Sequence, residues 1–294
     1  MLWPWRVYDG IRVSTRKKKY KHKRGTIPNA LFVQANSSAN IRDMNACLSD
    51  KCKVITKAIF GEGTKDVNKL GEGVYKNYGK GQNGFNVVSC QFALHYFFEN
   101  KQTLHSFLRN VSECCKVDGY FIGTCYDGKK IFRMLETKGL GEGVAKFKKN
   151  TKIWEIIRQY ESDEFKDDET SIGYAIDVYQ ETINKVFREY LINFNYFTQL
   201  LENYGFVKLS DDELKQKNIP DSVTSFKTYY DALEEEVKKN PKMKKDIGKS
   251  LFMSPEEKDL SFKNNCFIFK KIRDVDTKNV KNIMEKKQNE EEEK

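Results

Sequence analysis

The chain has 294 residues, of which 39% are hydrophobic, 13% aromatic and 32% charged. That amount of apolar material suffices for one sizeable core, with at most a small lobe attached. The 52 Lys and Arg against 42 Asp and Glu give a formal net charge of +10. Such a surplus is compatible with a polyanionic partner, although many basic proteins bind nothing anionic.

Cysteine usage and hydropathy exclude several classes of protein. The seven cysteines include no CxxC pair and no paired metal-ligand spacing, so we expect free thiols in a reducing compartment and no metal site. The apolar start Met1–Trp5 is interrupted by Arg6, which argues against a secretory leader. No stretch is long and apolar enough to span a membrane. The sequence therefore predicts an intracellular, soluble protein without a membrane partner.

The first 84 residues carry weak structural signals. A basic cluster at Arg16–Arg24 fits either a solvated surface or a phosphate contact. Ala30–Gln34 is predicted as a short buried strand, Ile41–Phe60 as mostly helix, and residues 61–84 as a loop insertion rich in Gly, Lys and Asn. Three GEG triplets are interpreted as turns, because none follows a convincing strand as a phosphate-binding loop would: Gly61–Gly63, Gly71–Gly73 and Gly141–Gly143.

A β-α-β unit is the clearest structural prediction. Phe85–Cys90 is apolar on both faces, as in a buried parallel strand. Lys101–Lys116 has an apolar stripe at helical spacing, and Tyr120–Thr124 is a second strand. The short links between these elements predict an α/β fold with a mostly parallel sheet and right-handed crossovers.

The remainder of the chain adds further elements to this unit. They are, in chain order, a helix from Ile131, a strand over Ser171–Tyr179, the segment Phe187–Asn193 leading into a helix that ends at Gly205, a strand over Phe206–Leu209, a helical insertion over residues 210–262 with a capped helix start at Ser254–Glu257, a last strand over Cys266–Ile272, and a disordered charged tail over residues 274–294.

Polar and aromatic side chains follow the first strand of the β-α-β unit. In an open α/β sheet ligands bind at the carboxyl ends of the strands, so Gln91, Phe92, His95 and Tyr96 are expected at the mouth of the sheet. At i,i+4 spacing Phe92 and Tyr96 would share a helix face, with His95 beside them. The alternative is an amphipathic helix whose aromatic residues simply complete the core.

The run Phe85–Phe98, FNVVSCQFALHYFF, resembles the signature segment of mRNA cap guanine-N7 methyltransferases, which reads FD-V-S-CQFA-HY-F. Only the acidic residue differs, since Asn86 stands in its place. Three further segments fit the family in order: FIGTCYDG at Phe121–Gly128, Ile172–Phe194, and FIFKK at Phe267–Lys271. The methyltransferase domain of capping enzymes of large DNA viruses is the most similar version.

The resemblance implies a Rossmann-like, S-adenosylmethionine-dependent fold that methylates N7 of the guanosine cap of RNA. It implies that Glu189 accepts hydrogen bonds from the Watson–Crick N–H groups of the guanine, whereas the residues alone would make Glu189 an exposed carboxylate at a helix start. No catalytic acid or base is implied, because guanine N7 carries a lone pair and no proton, and the work left is alignment and charge stabilisation. The implied cap-binding residues are Phe92, His95, Tyr96, Glu189 and Arg12.

The resemblance also implies residues that bind the cofactor S-adenosylmethionine. Gln91 is implied beside the methionine portion. Asn36 stands where the family usually has an aspartate beside the adenine, and an amide can still donate and accept a hydrogen bond. Ser37 and Tyr96 complete the implied set.

The sequence departs from the family in three further places. One lies just before the last strand, where the family has an aromatic residue that stacks on the cap and this chain has Asn264, Asn265 and Cys266. The family begins with a lysine-bearing segment and a β-α-β unit with a Gly-rich loop, neither of which is found before Asp9, so residues 1–273 are expected to form a methyltransferase domain that lacks its first β-α-β unit. Tyr126 stands where many relatives place proline. The implied partners are capped mRNA and other capping-enzyme domains or subunits, and the implied compartments are a viral factory or virion, the host cytoplasm, or the nucleus. The alternatives are a catalytically inactive cap- or RNA-binding relic and one piece of a split capping enzyme.

Overall fold

The computed structural model describes residues 30–245, 247–248 and 250–292, with side chains described up to residue 284. Arg12 and the basic cluster Arg16–Arg24 lie outside the described residues. The chain divides into two compact units, the first ending at Phe85 and the second beginning at Asn86. No helix in the described ranges is both long and apolar enough to cross a membrane.

The described part of the first unit contains two helices: α1 (Asp50–Ile59) and α2 (Val67–Tyr75). Ser49 caps α1, because its hydroxyl accepts a hydrogen bond from the backbone N–H of Cys52 at 3.2 Å. The helix predicted from Ile41 begins only at Asp50. Met44 has a left-handed φ of 68°, which an α-helix cannot contain.

The predicted strand Ala30–Gln34 is wrong. Within the described ranges this segment pairs with no strand, and only the next residue, Ala35, makes an isolated bridge, to Cys47. Three apolar side chains of the segment are exposed: Leu31, Phe32 and Val33. A run of four apolar residues is too short to decide secondary structure without its neighbours.

Residues 61–84 are only partly a loop, because α2 lies in their middle. The interpretation of the GEG triplets as turns is confirmed for Gly61–Gly63 and Gly141–Gly143, whereas Gly71–Gly73 lies in α2, which is kinked at Gly71. Gly61, Gly63 and Gly71 have φ of 78°, 79° and 72°, and Gly141 in the second unit has φ of 80°. A residue with a Cβ atom would be strained in this region, which explains why glycine stands there.

The predicted β-α-β unit is confirmed. The carbonyl of Asn86 lies beside Gly119 and that of Cys90 beside Gly123, so the two strands run in the same direction. Gly123 has no room for a Cβ atom, which would collide with the Cys90 carbonyl and the ring of Phe267. The elements of the unit are β1 (Phe85–Gln91), a 3₁₀ helix (Leu94–Glu99), α3 (Lys101–Cys114) and β2 (Cys115–Tyr126).

The remaining elements of the second unit are α4 (Gly128–Met134), β3 (Gly143–Lys148), β4 (Thr151–Gln159), β5 (Ala175–Gln180), β6 (Lys185–Tyr190), α5 (Phe194–Asn203), β7 (Phe206–Lys208), α6 (Asp211–Lys217), β8 (Val223–Ser225), α7 (Phe226–Lys239), α8 (Pro255–Ser261), β9 (Asn264–Lys271) and α9 (Thr277–Glu292). Short 3₁₀ helices cover Glu169–Ser171, Pro241–Lys245 and Ser250–Phe252.

The strands of the second unit form two sheets. The first has the order β1-β2-β9-β7, and β8 also pairs with β9. β9 is antiparallel to β2, β7 and β8, so this sheet is mixed, and the prediction of a mostly parallel sheet is wrong although the α/β class is confirmed. The second sheet is an antiparallel meander of the order β3-β4-β5-β6, of which only the region of β5 was predicted as a strand.

Two apolar clusters form the core of the second unit. The first lies around α3, β2, β9 and α5, where the predicted stripe on α3 is buried. The second lies between the meander and α4. Fully buried members of the first include Leu104, Leu108, Phe121, Phe197 and Phe269, and of the second Ile131, Leu135, Trp154 and Ile156.

Burial on both faces of β1 was expected and is not found. β1 lies at the edge of the described sheet, where Phe85 and Val87 are exposed and only Cys90 is buried.

The start of α8 is as predicted, because Ser254 and Glu257 form a capping box.

Two predictions near the end of the chain are corrected. Residues 210–262 are not only helical, because β8 joins the first sheet through β9. The tail is not disordered at its start, because it forms α9, on which Val280 packs against the first core cluster. The hydroxyl of Thr277 donates to the Glu113 carboxylate at 2.6 Å. Docking of this kind orders a terminal segment that is polar overall.

Candidate functional site

Glu189 lies on β6, opposite Ile176 of β5, and its side chain points into the protein. Only 6% of the residue is exposed. The reading of the residues alone, an exposed carboxylate at a helix start, is therefore wrong. The following helix, α5, begins five residues later, where Asn193 caps it by accepting hydrogen bonds from the N–H groups of Asn195 and Tyr196.

His95 lies opposite this carboxylate, on the 3₁₀ helix that follows β1, and is 5% exposed. Its Nε2 is 3.7 Å from Oε2 of Glu189, which is longer than a hydrogen bond. Both ring nitrogens of His95 and Oε2 of Glu189 are buried without a hydrogen-bond partner among the described residues. Buried polar atoms nearly always have a partner, so these three mark a place where one is missing.

Burial sets the protonation of both side chains. It raises the pKa of Glu189 to about 8 and lowers the pKa of His95 to about 3. Both shifts follow from desolvation, which disfavours the charged form of either group. Near neutral pH the pair is consequently neutral, with a protonated carboxyl and an unprotonated imidazole.

Two tyrosines border the pair. The ring of Tyr96 is half-buried and stands 4.2 Å from the His95 ring, at 69° to it. Burial, and then the charge of Glu189, raise the pKa of Tyr96 to about 12. Tyr126, at the carboxyl end of β2, is buried, and its hydroxyl accepts a hydrogen bond from the Gln180 amide at 3.0 Å. Burial, and then Glu189, also raise the pKa of Tyr126.

Tyr126 and Gln180 are site residues that the sequence reasoning missed. Tyr126 is the last residue of β2, and Gln180 is the last residue of β5. Both strands were predicted in part. Ligands gather at the carboxyl ends of strands in α/β proteins, so that position was the available signal for Tyr126. Nothing in the sequence indicated that Gln180 would face Tyr126, because the meander was not predicted.

Gln91 and Phe92 lie at the carboxyl end of β1. The amide of Gln91 is fixed at both ends, since it donates to Ser89 Oγ and accepts from Thr124 Oγ1, each at 2.9 Å. Phe92 has a left-handed φ of 50° and is 52% exposed, and the centroid of its ring is 6.0 Å from that of Phe226. The expected shared helix face of Phe92 and Tyr96 is therefore wrong, because Phe92 precedes the 3₁₀ helix.

The other predicted cofactor residues, Asn36 and Ser37, belong to the first unit. Oδ1 of Asn36 accepts a hydrogen bond from the backbone N–H of Ser38 at 3.0 Å, so part of its hydrogen-bonding capacity serves a local turn. Arg12 lies outside the described residues. Of the predicted site residues, the second unit thus brings His95, Tyr96 and Glu189 together. Within the described ranges no group of three His, Cys, Asp or Glu side chains could hold a metal ion.

Buried polar atoms of His95 and Glu189 that have no hydrogen-bond partner among the described residues define a candidate ligand-binding domain. The family described as mRNA (guanine-N(7))-methyltransferase domain matches residues 49–272, most of the chain. The chain belongs to this family.

Individual proteins whose names agree with this family match shorter segments of the chain. The chain is 30% identical over 124 residues to the "Probable mRNA-capping enzyme" of Acanthamoeba polyphaga mimivirus, covering 41% of this chain and 10% of that protein. It is 28% identical over 160 residues to the "mRNA cap guanine-N(7) methyltransferase" of Aspergillus niger, covering 51% of this chain and 25% of that protein. The matched segments thus span at most a quarter of these two relatives.

A solved structure with partial overlap is the CcbJ methyltransferase from Streptomyces caelestis. Its TM-score is 0.36 at 9% sequence identity, and the overlap covers 66% of this chain and 59% of the other. A TM-score this low does not indicate a shared function.

Proposed function

We propose that the chain binds the terminal guanine of capped RNA beside Glu189 and His95 and takes part in methyl transfer from S-adenosylmethionine to guanine N7. The supporting observation is the buried, unpartnered Oε2 of Glu189, together with both unpartnered nitrogens of His95. A ligand that offers two adjacent donors would give the carboxylate the partners it lacks.

Guanine has the matching hydrogen-bond pattern. Its N1–H and exocyclic N2–H both donate from one edge, so an ionised Glu189 can accept both. Adenine presents an acceptor at N1 on that edge, which would face the carboxylate oxygens unfavourably. Leaving a buried polar group unpaired in this way costs about 1–3 kcal/mol, enough for strong discrimination. The imidazole of His95 would hydrogen-bond the cap, and the Tyr96 ring would offer an aromatic face to the purine.

Methyl transfer to N7 requires no general base. S-adenosylmethionine, a sulfonium held by Gln91 and Tyr96, would supply a methyl group to the N7 lone pair and leave as a neutral thioether, so the positive charge would come to lie on the guanine ring. The residues of this chain orient the guanine and, through the Glu189 carboxylate, stabilise the charge that develops on it.

The residues at the end of β1 fit the methionine portion of S-adenosylmethionine. The Gln91 amide is exposed and held in place by Ser89 and Thr124, so its second N–H can bind a carboxylate or carbonyl oxygen. Tyr96 is half-buried, and its ring stands against that of His95. Asn36 and Ser37 remain the proposed adenine-side residues, and Arg12 remains a proposed phosphate contact.

Capped mRNA is the proposed substrate. Further domains or subunits of a capping enzyme are proposed as partners, because the mimivirus relative is named a capping enzyme and the matched part is a tenth of it. The charge surplus of +10 supports a polyanionic substrate.

The test compares guanine and adenine caps. Calorimetric titration with GpppG and ApppA should show a preference for GpppG of at least about tenfold in the unchanged chain. Glu189→Gln should lose that preference, because its amide NH₂ would face the donors of guanine. Incubation with S-adenosylmethionine should give N7-methylated GpppG, identified by mass spectrometry, and binding without methylation would support the cap-binding relic instead.

A matched control is Glu155→Gln. Glu155 lies on β4 of the same sheet as Glu189, but it pairs with Lys152 on the surface at 2.7 Å. This change removes the same charge and should leave the guanine preference intact. Equal discrimination by the Glu189 and Glu155 variants would refute the proposed role of Glu189.

A further inference from the structure

The hairpin between β3 and β4 ends in a basic tip, residues 146–150, with the sequence KFKKN. All five residues are exposed. Lys146, Lys148 and Lys149 make no ion pair with any described residue. The next lysine, Lys152, is engaged differently, because it pairs with Glu155.

Few acidic groups oppose this tip. Glu256, at the start of α8, senses the tip: hydrogen bonds at its helix terminus lower its pKa, and the charges of Lys148 and Lys146 lower it further. Glu256 is itself solvent-exposed, so water and salt screen its effect on the lysines. The tip therefore presents three positive charges with little local compensation.

Lys149 occupies a backbone position that does not favour lysine. Lys148 pairs with Thr151 across the hairpin, so Lys149 and Asn150 form a two-residue turn, and Lys149 has φ of 55°. Glycine, asparagine or aspartate relieves the strain at such a position. The strain lies in the backbone of Lys149, and no local contact of its side chain explains why lysine stands there. Such a position points to a role outside the folded chain.

An exposed aromatic ring stands beside these lysines. The register of β3 and β4 shifts between Lys146 and Phe147, and this bulge changes the direction of the side chains that follow. Phe147 is 53% exposed. Lysines interleaved with an exposed aromatic ring form the chemistry that single-stranded nucleic acid recognises, through phosphate contacts and base stacking.

The tip and Glu189 of the proposed cap site belong to the same meander. Trp154 of β4 pairs with Gln180 of β5, whose amide binds Tyr126 beside Glu189. Glu189 of β6 aligns through Ile176 of β5 with Arg158 of β4, and Arg158 is seven residues from Thr151, about 23 Å along a strand. An RNA strand of several nucleotides that leaves the cap site can therefore span this distance to the tip.

We infer that the hairpin tip, residues 146–150, is a binding surface for the single-stranded RNA that follows the cap. This inference rests on the proposed function for its choice of RNA end. The lysines would contact backbone phosphates, and Phe147 would stack on a base. The tip would add affinity for RNA without adding preference for guanine.

The experiment measures binding by fluorescence anisotropy for three probes: GpppG, a capped 10-nucleotide RNA, and the same RNA without a cap. The triple variant Lys146→Gln, Lys148→Gln, Lys149→Gln should weaken binding of both RNAs about tenfold and leave GpppG binding unchanged. The slope of log Kd against log salt for the RNAs should fall by about 2, from roughly 0.7 per lysine. Phe147→Ala should weaken RNA binding with little change in that slope.

A charge-matched control separates a surface from general electrostatics. The variant Lys242→Gln, Lys244→Gln, Lys245→Gln removes the same charge from another exposed basic run, the 3₁₀ helix Pro241–Lys245. It should bind the RNAs nearly as the unchanged chain does. An equal loss in the control, or no loss in the tip variant, would overturn the inference.

A second variant separates loss of RNA binding from loss of folding. Lys149→Asn suits the left-handed turn better, so it should raise the melting temperature while still weakening RNA binding. Unchanged RNA affinity in this variant and in the triple variant would contradict a role for the tip. If the chain binds uncapped RNA through the tip but does not bind GpppG, the inference stands and the proposed function fails.

Discussion

Nε2 of His95 and Oε2 of Glu189 face each other at 3.7 Å in the interior of the second unit, close enough to interact but too far to satisfy one another. Burial keeps both side chains neutral near pH 7. A guanine that binds the ionised carboxylate must therefore be accompanied by loss of the Glu189 proton. This coupling gives the site a pH dependence that can be measured.

Affinity for GpppG should rise with pH below about 8. Since the pKa of Glu189 is about 8 in the free chain, each unit below that value costs up to about 1.4 kcal/mol to ionise the carboxyl. Calorimetry at pH 6, 7 and 8 should show this trend, and titration in buffers of different ionisation enthalpy should show a released proton. Glu189→Gln should remove the trend, and a flat profile in the unchanged chain would contradict it.

Glu189 should also lower stability as pH rises. Its pKa is raised in the folded chain, so between about pH 4.5 and 8 the unfolded state binds fewer protons and the free energy of unfolding falls. At pH 8.5 Glu189→Gln should be more stable than the unchanged chain, by on the order of 3 kcal/mol. Urea denaturation checks this value, and the difference should shrink at pH 5. A Gln variant that is less stable at both pH values would show that the carboxyl is not destabilised by burial.

Tyr126 should position the site through Gln180. Tyr126→Phe removes the hydroxyl that accepts from the Gln180 amide and should weaken GpppG binding several-fold, with a loss of about 1 kcal/mol. The control is Tyr179→Phe. Tyr179 precedes Gln180 on β5, but its hydroxyl donates to Asn184 at the surface. Equal GpppG affinities of the two variants would argue against a positioning role for Tyr126.

Lys271 should matter to stability far more than its neighbour Lys270. The buried ammonium of Lys271 donates to the carbonyls of Ser112 and Cys115, at 2.8 Å each, and to Asp274. Lys271→Met should lower the free energy of unfolding by about 2–3 kcal/mol, because two buried carbonyls lose their partner. Lys270→Met removes a surface pair with Glu213 and should cost less than about 1 kcal/mol. Similar midpoints in urea would refute this difference.

The sequence predicted best where a residue's neighbours in space are also its neighbours in the chain. The β-α-β unit, the capped start at Ser254 and the helix end at Gly205, with φ of 88°, depend on local patterns and are confirmed. The family resemblance located Glu189 and His95, whose proximity no local pattern could indicate. The structure places both in the interior of one unit.

The structural predictions failed where contacts between residues far apart in the chain determine the structure. Glu189 was an ambiguous residue because the meander that buries it requires four strands to pair in register. The tail was judged by its charge, whereas a few residues such as Val280 and Thr277 dock it against the body of the unit. Phe92 did not continue the helical spacing, because its left-handed backbone separates it from Tyr96. Tertiary contacts override local propensity in each case.

The central place of β9 affects the order in which the chain can fold. This strand is nearly the last in sequence, yet it separates β2 from β7 and β8. During synthesis, three earlier strands must wait for Asn264–Lys271 to leave the ribosome before their sheet can close. Such non-local pairing makes folding slow and leaves strand edges open to aggregation meanwhile. A premature stop before residue 264 would therefore yield a chain with no complete first sheet, rather than a shortened but folded domain.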